Sequence, residues 1–124
     1  MCVVATFALV TLALAAYPAA AQSFHNAPAS AEQTKNPYAG NAQAAAGGKK
    51  LYTQNCAQCH GNELQGMGPA PSLTSAKVKK ASPGDLFWFI TTGDLNKGMP
   101  GWPQLSTQQR WQIVTFMESK NGAK

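Results

Sequence analysis

Two cysteines and a histidine stand together in the pentapeptide Cys56-Ala57-Gln58-Cys59-His60. A disulfide between cysteines this close would add little stability, because a short loop constrains the unfolded chain only weakly. The two sulfurs therefore need a chemical use. The pattern C-x-x-C-H is the signal for covalent haem attachment, in which the two thiols add to the two vinyl groups of the porphyrin. His60 would then be a ligand to the iron.

Two other uses of paired cysteines fit this chain less well. A thioredoxin-like C-x-x-C pair belongs to a βαβ unit, and no segment here has the alternating pattern of a strand. A structural zinc site needs four ligands. Beyond Cys56, Cys59 and His60, the mature chain would offer only His25. One covalent haem c, with its iron, is therefore the predicted cofactor.

The first 21 residues have the features of an export signal. Residues 3–16 are almost entirely apolar, and Ala19-Ala20-Ala21 precedes Gln22 as an A-x-A cleavage pattern. We expect cleavage after Ala21, which removes Cys2 and leaves a periplasmic protein. The basic residues that normally begin such a signal are missing. Uncleaved, residues 1–21 are just long enough to anchor the protein in a membrane.

Charge narrows the choice of partner. All ten Lys and Arg and all five Asp and Glu lie beyond residue 21, so the mature chain keeps the net charge of +5. That charge favours an acidic protein surface or anionic headgroups as the partner. Export and the lack of an Arg-rich cluster argue against nucleic acid. The candidate docking residues are six lysines: Lys49, Lys50, Lys77, Lys79, Lys80 and Lys97.

Residues 22–40 have the composition of a flexible linker. They are rich in Ala, Asn, Gln, Ser and Pro, and Asn36-Pro37 is a turn signal. We predict loose packing or disorder for this segment. His25 lies within it and is interpreted as a solvated tail residue, since it could reach the iron only if the tail folded back over the haem.

Residues 41–124 form the predicted domain, which is all-α with three main helices. The first helix covers about 42–55, with Asn41 as its N-cap. The second begins at Ser82 and ends at Gly93. The third begins at Ser106, which forms a capping box with Gln109. Two long glycine- and proline-rich loops join the helices, and loops of that length in a small domain usually wrap around something or carry function.

A second iron ligand must come from the far side of the porphyrin. Met117 lies on the apolar face of the last helix and is interpreted as core. Met67 follows His60 by only seven residues and would have to pass around the ring edge. Met99 follows His60 by 39 residues, which lets the chain pass around the haem. Pro100 would stiffen its loop. The spacing favours Met99 over Met67, Met117 and His25.

Ligation by His60 and Met99 would have two consequences. A thioether ligand favours reduced iron and so raises the reduction potential. With both axial positions filled, no coordination position is open to a substrate. The remaining chemistry is outer-sphere electron transfer at the exposed haem edge, which would make the protein an electron carrier rather than an enzyme.

Over about residues 47–120 the chain resembles the class I cytochrome c family. The resemblance implies a small cytochrome c fold wrapped around one haem, with Met99 as the distal ligand. Three segments carry it besides the haem motif and Met99. They are Gly48-Lys49-Lys50-Leu51-Tyr52, Pro71-Ser72-Leu73, and the last-helix set Arg110, Ile113 and Phe116.

The resemblance also implies roles for residues near the haem. The carbonyl of Pro71 would accept a hydrogen bond from His60 and so orient it. Leu73 would line the haem pocket. Gly48 would permit a close crossing of the first and last helices, with Phe116 packed at the crossing.

Residues 86–117 look most like bacterial cytochromes that serve periplasmic dehydrogenases or terminal oxidases. The expected function is a single-electron carrier between such partners. The alternative is a haem subunit held permanently on a dehydrogenase or oxidase complex. A third possibility, an open-site haem enzyme or gas sensor, requires that Met99 does not bind iron.

Overall fold

The computed structural model describes residues 27–122, and within them the fold is all-α, as predicted. No strand is present in this range, where two isolated β-bridges join Met67 to Ala70 and Asp94 to Met99. The predicted export signal and His25 lie outside the described residues. The helices are α1 (Ala29–Glu32), α2 (Ala42–Asn55), α3 (Ala57–His60), α4 (Ala76–Lys80), α5 (Pro83–Thr92) and α6 (Thr107–Asn121), with a 3-10 turn at Leu95–Lys97.

The three main helices begin where their predicted caps stand. Asn41 Oδ1 accepts a hydrogen bond from the backbone nitrogen of Ala44 at 2.8 Å, which opens α2. Ser82 and Asp85 form a reciprocal capping box at the start of α5. Ser106 and Gln109 form another at the start of α6. Each cap satisfies backbone donors that have no partner inside the helix.

Helices α2 and α6 cross in close contact, and Gly48 permits the crossing. A Cβ atom built at Gly48 would overlap with the backbone carbonyl of Gln112 and lie 3.0 Å from the Cβ of Phe116. One turn further along α2, the Tyr52 ring lies 5.3 Å from the Phe116 ring, centroid to centroid. This crossing places the C-terminal end of α2, where the Cys56 motif begins, against the core.

The core lies mainly between α6 and the helices that cross it. Met117 is 4% exposed and belongs to this core, as its position on the apolar face predicted. Trp111 is also buried and stacks on Phe87 with ring centroids 4.2 Å apart. The buried apolar residues of the cluster are Tyr52, Ala57, Leu64, Val78, Ala81, Leu86, Ile90, Trp111, Ile113, Val114, Phe116 and Met117.

The prediction of loose packing over 22–40 is wrong for residues 27–40. The carbonyl oxygen of Ala31 in α1 lies so close to Gly84 in α5 that a Cβ atom at Gly84 would overlap with it. Asn36 is buried, and its Nδ2 donates to Thr115 Oγ1 at 2.9 Å and to Glu118 Oε2 at 2.7 Å. The polar composition predicts a solvated segment, but the Asn36 side chain is used in contacts with α6.

The loop predicted between His60 and Ser82 contains an additional short helix, α4. Ser75 caps it by accepting a hydrogen bond from the backbone nitrogen of Val78 at 3.4 Å. Val78 is buried, while Lys77, Lys79 and Lys80 are exposed. Among residues 27–122, no helix has the length and apolar character needed to cross a bilayer.

Candidate haem-binding site

The haem motif forms a single helical turn directly after α2. Cys56 ends α2, and its carbonyl oxygen accepts hydrogen bonds from the backbone nitrogens of Cys59 at 3.1 Å and His60 at 2.9 Å. Gly61 ends the turn with a φ of +78°, a conformation that favours glycine. Residues three and four apart share one helical face. The turn therefore brings both sulfurs and the imidazole to the same side of the chain.

The two cysteines are free thiols in different surroundings. Cys56 is half-buried and Cys59 is exposed. Burial raises the pKa of the Cys56 thiol to about 12, with a further contribution from the charge of Cys59. A thioredoxin-like use of this pair belongs to a βαβ unit, and residues 27–122 contain two isolated β-bridges but no strand.

The His60 ring is buried, and its orientation is set by Pro71. His60 Nδ1 lies 2.9 Å from the carbonyl oxygen of Pro71. A carbonyl oxygen can only accept, so Nδ1 carries the hydrogen and donates it. The other ring nitrogen, Nε2, then has the free lone pair that a metal ion requires. This is the contact that the family resemblance implied.

The loop between His60 and Leu73 is folded tightly back on itself. The backbone nitrogen of Gly66 donates to the carbonyl of His60 at 2.8 Å, and that of Leu73 donates to Leu64 at 2.8 Å. A Cβ atom at Gly66 would lie 2.8 Å from the carbonyl carbon of Pro71. Glycine at this position therefore permits close contact with the segment that orients His60. In the sequence, Gly66 is only one of the glycines in a long loop rich in glycine and proline.

Leu73 is half-buried and packs against the main core cluster. Its carbonyl oxygen accepts a hydrogen bond from Asn121 Nδ2 at 3.0 Å, which ties the end of this loop to the last turn of α6.

Met99 lies on the second long loop, which rests on the C-terminal end of α5. Asp94 and Met99 exchange two backbone hydrogen bonds, of 2.9 and 3.0 Å, and so close the 3-10 turn between them. A Cβ atom at Gly93 would lie 2.5 Å from the carbonyl oxygen of Met99. The Met99 backbone is therefore held at a defined place by two hydrogen bonds and a close contact.

The other candidate methionines have different environments. Met117 is enclosed in the core and cannot leave it without opening a cavity. Met67 is 53% exposed on the loop that follows the haem motif. Among the described methionines, Met67 and Met99 therefore remain the candidates for a second sulfur ligand.

Tyr52 joins α2 to the turn that carries the motif. Its hydroxyl donates to the carbonyl oxygen of Gly61 at 2.6 Å, and its side chain is 1% exposed. Burial raises the pKa of Tyr52 to about 12, with smaller contributions from the charges of Cys56 and Glu63. The phenol thus remains a donor well above the pH at which an exposed tyrosine ionises.

Tyr52→Phe removes this hydrogen bond and keeps the ring. We expect the free energy of unfolding to fall by about 1 kcal/mol near neutral pH. Because the folded-state pKa lies above the unfolded value of about 10, the wild-type protein loses stability as the pH rises from 10 to 12. Tyr52→Phe lacks that loss. The difference in the free energy of unfolding between wild type and variant, measured by urea unfolding, should therefore be smaller at pH 11 than at pH 8. Tyr38→Phe, at a half-buried tyrosine outside this turn, is the control. If Tyr52→Phe differs from wild type by the same free energy of unfolding at both pH values, the raised pKa of Tyr52 is contradicted.

The donors at this site fit a covalently attached haem. Two thiols lie on one helical turn, and the adjacent histidine presents a free Nε2. Among residues 27–122, no group of three or more His, Cys, Asp or Glu side chains is arranged to hold a bare metal ion. Two thiols and one imidazole nitrogen on a single turn suit a metal that arrives inside a porphyrin.

Comparison with known proteins agrees with this chemistry. Residues 43–117 match the model of the family described as Cytochrome C oxidase, cbb3-type, subunit III. Cytochrome c550 of Pseudomonas aeruginosa is 33% identical over 92 residues, which cover 68% of this chain and 61% of that protein. Cytochrome c-554(547) of Halothiobacillus neapolitanus is 50% identical over 38 residues, 28% of this chain and 42% of that protein. The chain thus spans less than two thirds of the length of either relative.

Solved structures show the same fold. Cytochrome cL from the marine methylotrophic bacterium Methylophaga aminisulfidivorans matches with a TM-score of 0.60 and 25% identity, over 68% of this chain and 58% of that one. A chain of a reducing HAO-like protein complex of Kuenenia stuttgartiensis matches with a TM-score of 0.57 and 28% identity, over 64% of this chain and 44% of that one.

The matched range, 43–117, is more than half of the chain and contains the haem motif, Pro71, Leu73 and Met99. The fold is therefore that of a cytochrome c domain, as the resemblance implied. The chain belongs to the c-type cytochrome family described as Cytochrome C oxidase, cbb3-type, subunit III, and its cofactor is haem c, an iron porphyrin held covalently.

Proposed function

We propose that this protein is a single-electron carrier with one haem c, ligated by His60 and Met99, that passes electrons between periplasmic redox partners. The observation that carries the proposal is the His60–Pro71 hydrogen bond of 2.9 Å beside two free thiols on one turn. This hydrogen bond occupies Nδ1 of His60 and leaves Nε2 free to bind the iron of a porphyrin that the two cysteines would hold covalently.

Each site residue has a distinct role in this proposal. Cys56 and Cys59 form the two thioether bonds, and His60 is the proximal ligand. Pro71 holds the imidazole in the tautomer that binds iron, while Leu73 covers part of the haem face. Met99 supplies the distal sulfur, because its backbone is tied to the end of α5, whereas Met67 lies on an exposed loop close in sequence to His60.

When bound, the haem supplies a reversible one-electron couple between ferric and ferrous iron. The residues of this chain would restrict the haem to electron transfer. With His60 and Met99 both bound to the iron, no position would be left for a substrate, and the thioether ligand would favour the reduced state. The covalent attachment prevents the haem from dissociating from the protein.

The surface charge supports docking to an acidic partner. All six candidate lysines are exposed, including three on the short helix α4. Basic residues around a redox centre raise the rate of encounter with a partner of opposite charge, and salt screens the effect. We further propose that the protein is exported and that residues 1–21 are removed; left in place, they would attach it to the membrane.

A second candidate function is a haem subunit held permanently on a dehydrogenase or oxidase complex. Two observations favour it. The matching family is described as an oxidase subunit, and one structural neighbour belongs to a protein complex. An open-site haem enzyme or gas sensor is a weaker alternative, since it requires Met99 to leave the iron.

The test uses the native pigmented protein from a periplasmic extract. We expect one haem per chain, a reversible one-electron redox titration, and no binding of carbon monoxide by the reduced protein. Exchange of electrons with an acidic redox protein should slow as ionic strength rises. Elution in size exclusion at the mass of the monomer supports the free carrier, and co-elution with a larger complex supports the subunit. A colourless protein, or rapid carbon monoxide binding, would refute the proposal.

A further inference from the structure

Arg110, at the start of α6, reaches across to the end of α5. Its Nη1 donates to Thr91 Oγ1 at 2.7 Å. Its guanidinium carbon lies 5.0 Å from the centre of the Phe87 ring, within the range of a cation–π contact. Thr91 Oγ1 also donates to the carbonyl oxygen of Phe87 at 2.7 Å. The arginine is thus held by a polar and an aromatic partner on the same face of α5.

The loop that carries Met99 rests on the same turn of α5. The backbone nitrogen of Trp102 donates to the carbonyl oxygen of Ile90 at 2.9 Å. A Cβ atom at Gly101 would lie 2.5 Å from the carbonyl oxygen of Thr91. The chain on the C-terminal side of Met99 therefore packs directly against the backbone of the residue whose side chain Arg110 binds.

A contact that immobilises the last turn of α5 would affect the bond between Met99 and the iron. A thioether is a neutral and weak ligand, and it competes with any external ligand that can reach the iron. The loop must therefore hold the sulfur in place before the bond forms, since disorder in the loop weakens the bond by the entropy lost on ordering. Whatever fixes the last turn of α5 fixes the surface on which that loop rests.

We propose that Arg110, acting through Thr91, is a positioning residue for the distal ligand: it immobilises the last turn of α5 and thereby strengthens the bond between Met99 and the iron. This inference rests on the proposed assignment of Met99 as ligand. A purely structural role, in which Arg110 only ties α5 to α6, would affect unfolding but not ligation.

The experiment compares four variants of the oxidised holoprotein: Arg110→Met, Thr91→Val, Thr92→Val and Met99→Ala. Arg110→Met keeps an unbranched apolar stem near Phe87 and removes the guanidinium, and Thr91→Val removes its acceptor with little change of shape. Thr92→Val is the matched control, because Thr92 is exposed and its hydroxyl bonds back to Trp88 at 3.0 Å without meeting Arg110. The readouts are the dissociation constant for imidazole, which must displace Met99, and the urea midpoint.

We expect imidazole to bind about tenfold more tightly to Arg110→Met and Thr91→Val, the factor that corresponds to roughly 1.4 kcal/mol. Thr92→Val should stay within about twofold of wild type. Should Arg110→Met fail to fold, Thr91→Val alone carries the test.

Two outcomes overturn the proposal, and they are distinguishable. If Arg110→Met and Thr91→Val lower the urea midpoint but leave imidazole binding unchanged, while Met99→Ala tightens it, Arg110 has only a structural role and the ligand assignment stands. If Met99→Ala leaves imidazole binding unchanged as well, the ligand assignment itself fails.

Discussion

Gly48→Ala should lower the free energy of unfolding of the holoprotein by about 3 kcal/mol or more. For a domain of this size, that corresponds to a fall in Tm of at least about 10 °C. The added methyl group would overlap with the backbone carbonyl of Gln112, which belongs to α6 and cannot rotate away as a side chain would. The two helices must therefore separate, and the contact between Tyr52 and Phe116 must open with them.

Gly47→Ala is the matched control, because it adds the same methyl group one residue earlier on the same helix. Its nearest neighbour is Gln112 Nε2 at 3.3 Å, the far end of a flexible side chain. Alanine is the better helix former, so this variant should be neutral or more stable by about 0.5 kcal/mol. Urea unfolding and thermal melting of both holoproteins provide the measurement. Equal stabilities for the two variants would show that the helix crossing does not depend on Gly48.

Met99→Ala should lower the reduction potential by an amount on the order of hundreds of millivolts, since axial ligands set haem potentials over a range of about 0.8 V. Loss of the thioether removes the ligand that favours ferrous iron. The vacated position should let the reduced protein bind carbon monoxide, and the weak long-wavelength band of sulfur bound to ferric iron should disappear. Potentiometric titration and absorption spectra measure all three effects.

Met67→Ala is the control for this prediction. Met67 also lies on a glycine-flanked loop, and alanine removes the same side chain without touching the Met99 loop. We expect its potential and spectrum to match those of the wild type. If the effects appear in Met67→Ala and are absent from Met99→Ala, Met67 is the distal ligand and Met99 is not. If neither variant changes, neither methionine is the ligand.

Local signals account for most of what could be predicted. The N-caps at Asn41, Ser82 and Ser106 were predicted because each cap involves residues within three positions of one another. The haem motif is local for the same reason, since its sulfurs and imidazole lie on a single helical turn. The short helices α1, α3 and α4 were missed, because four or five residues carry too little pattern to distinguish a helix from a turn.

Contacts between distant residues explain what could not be predicted. Residues 27–40 have the composition of a linker, yet Asn36 pairs with Thr115 and Glu118, about 80 positions later in the chain. Gly66 has the signature of a flexible loop, but its missing side chain permits contact with Pro71. No local pattern identifies such partners, since each pairing depends on how the whole chain folds.

The sequence by itself determined the cofactor chemistry and the three main helices, because both depend on residues that are neighbours along the chain. Only the tertiary structure decided two further features: the packing of residues 27–40 on the domain, and the contact of Arg110 with the turn beneath the Met99 loop. These join residues that are 19 to 82 positions apart. Their geometry is set by close packing of the complete fold, in which the place of each helix depends on all the others.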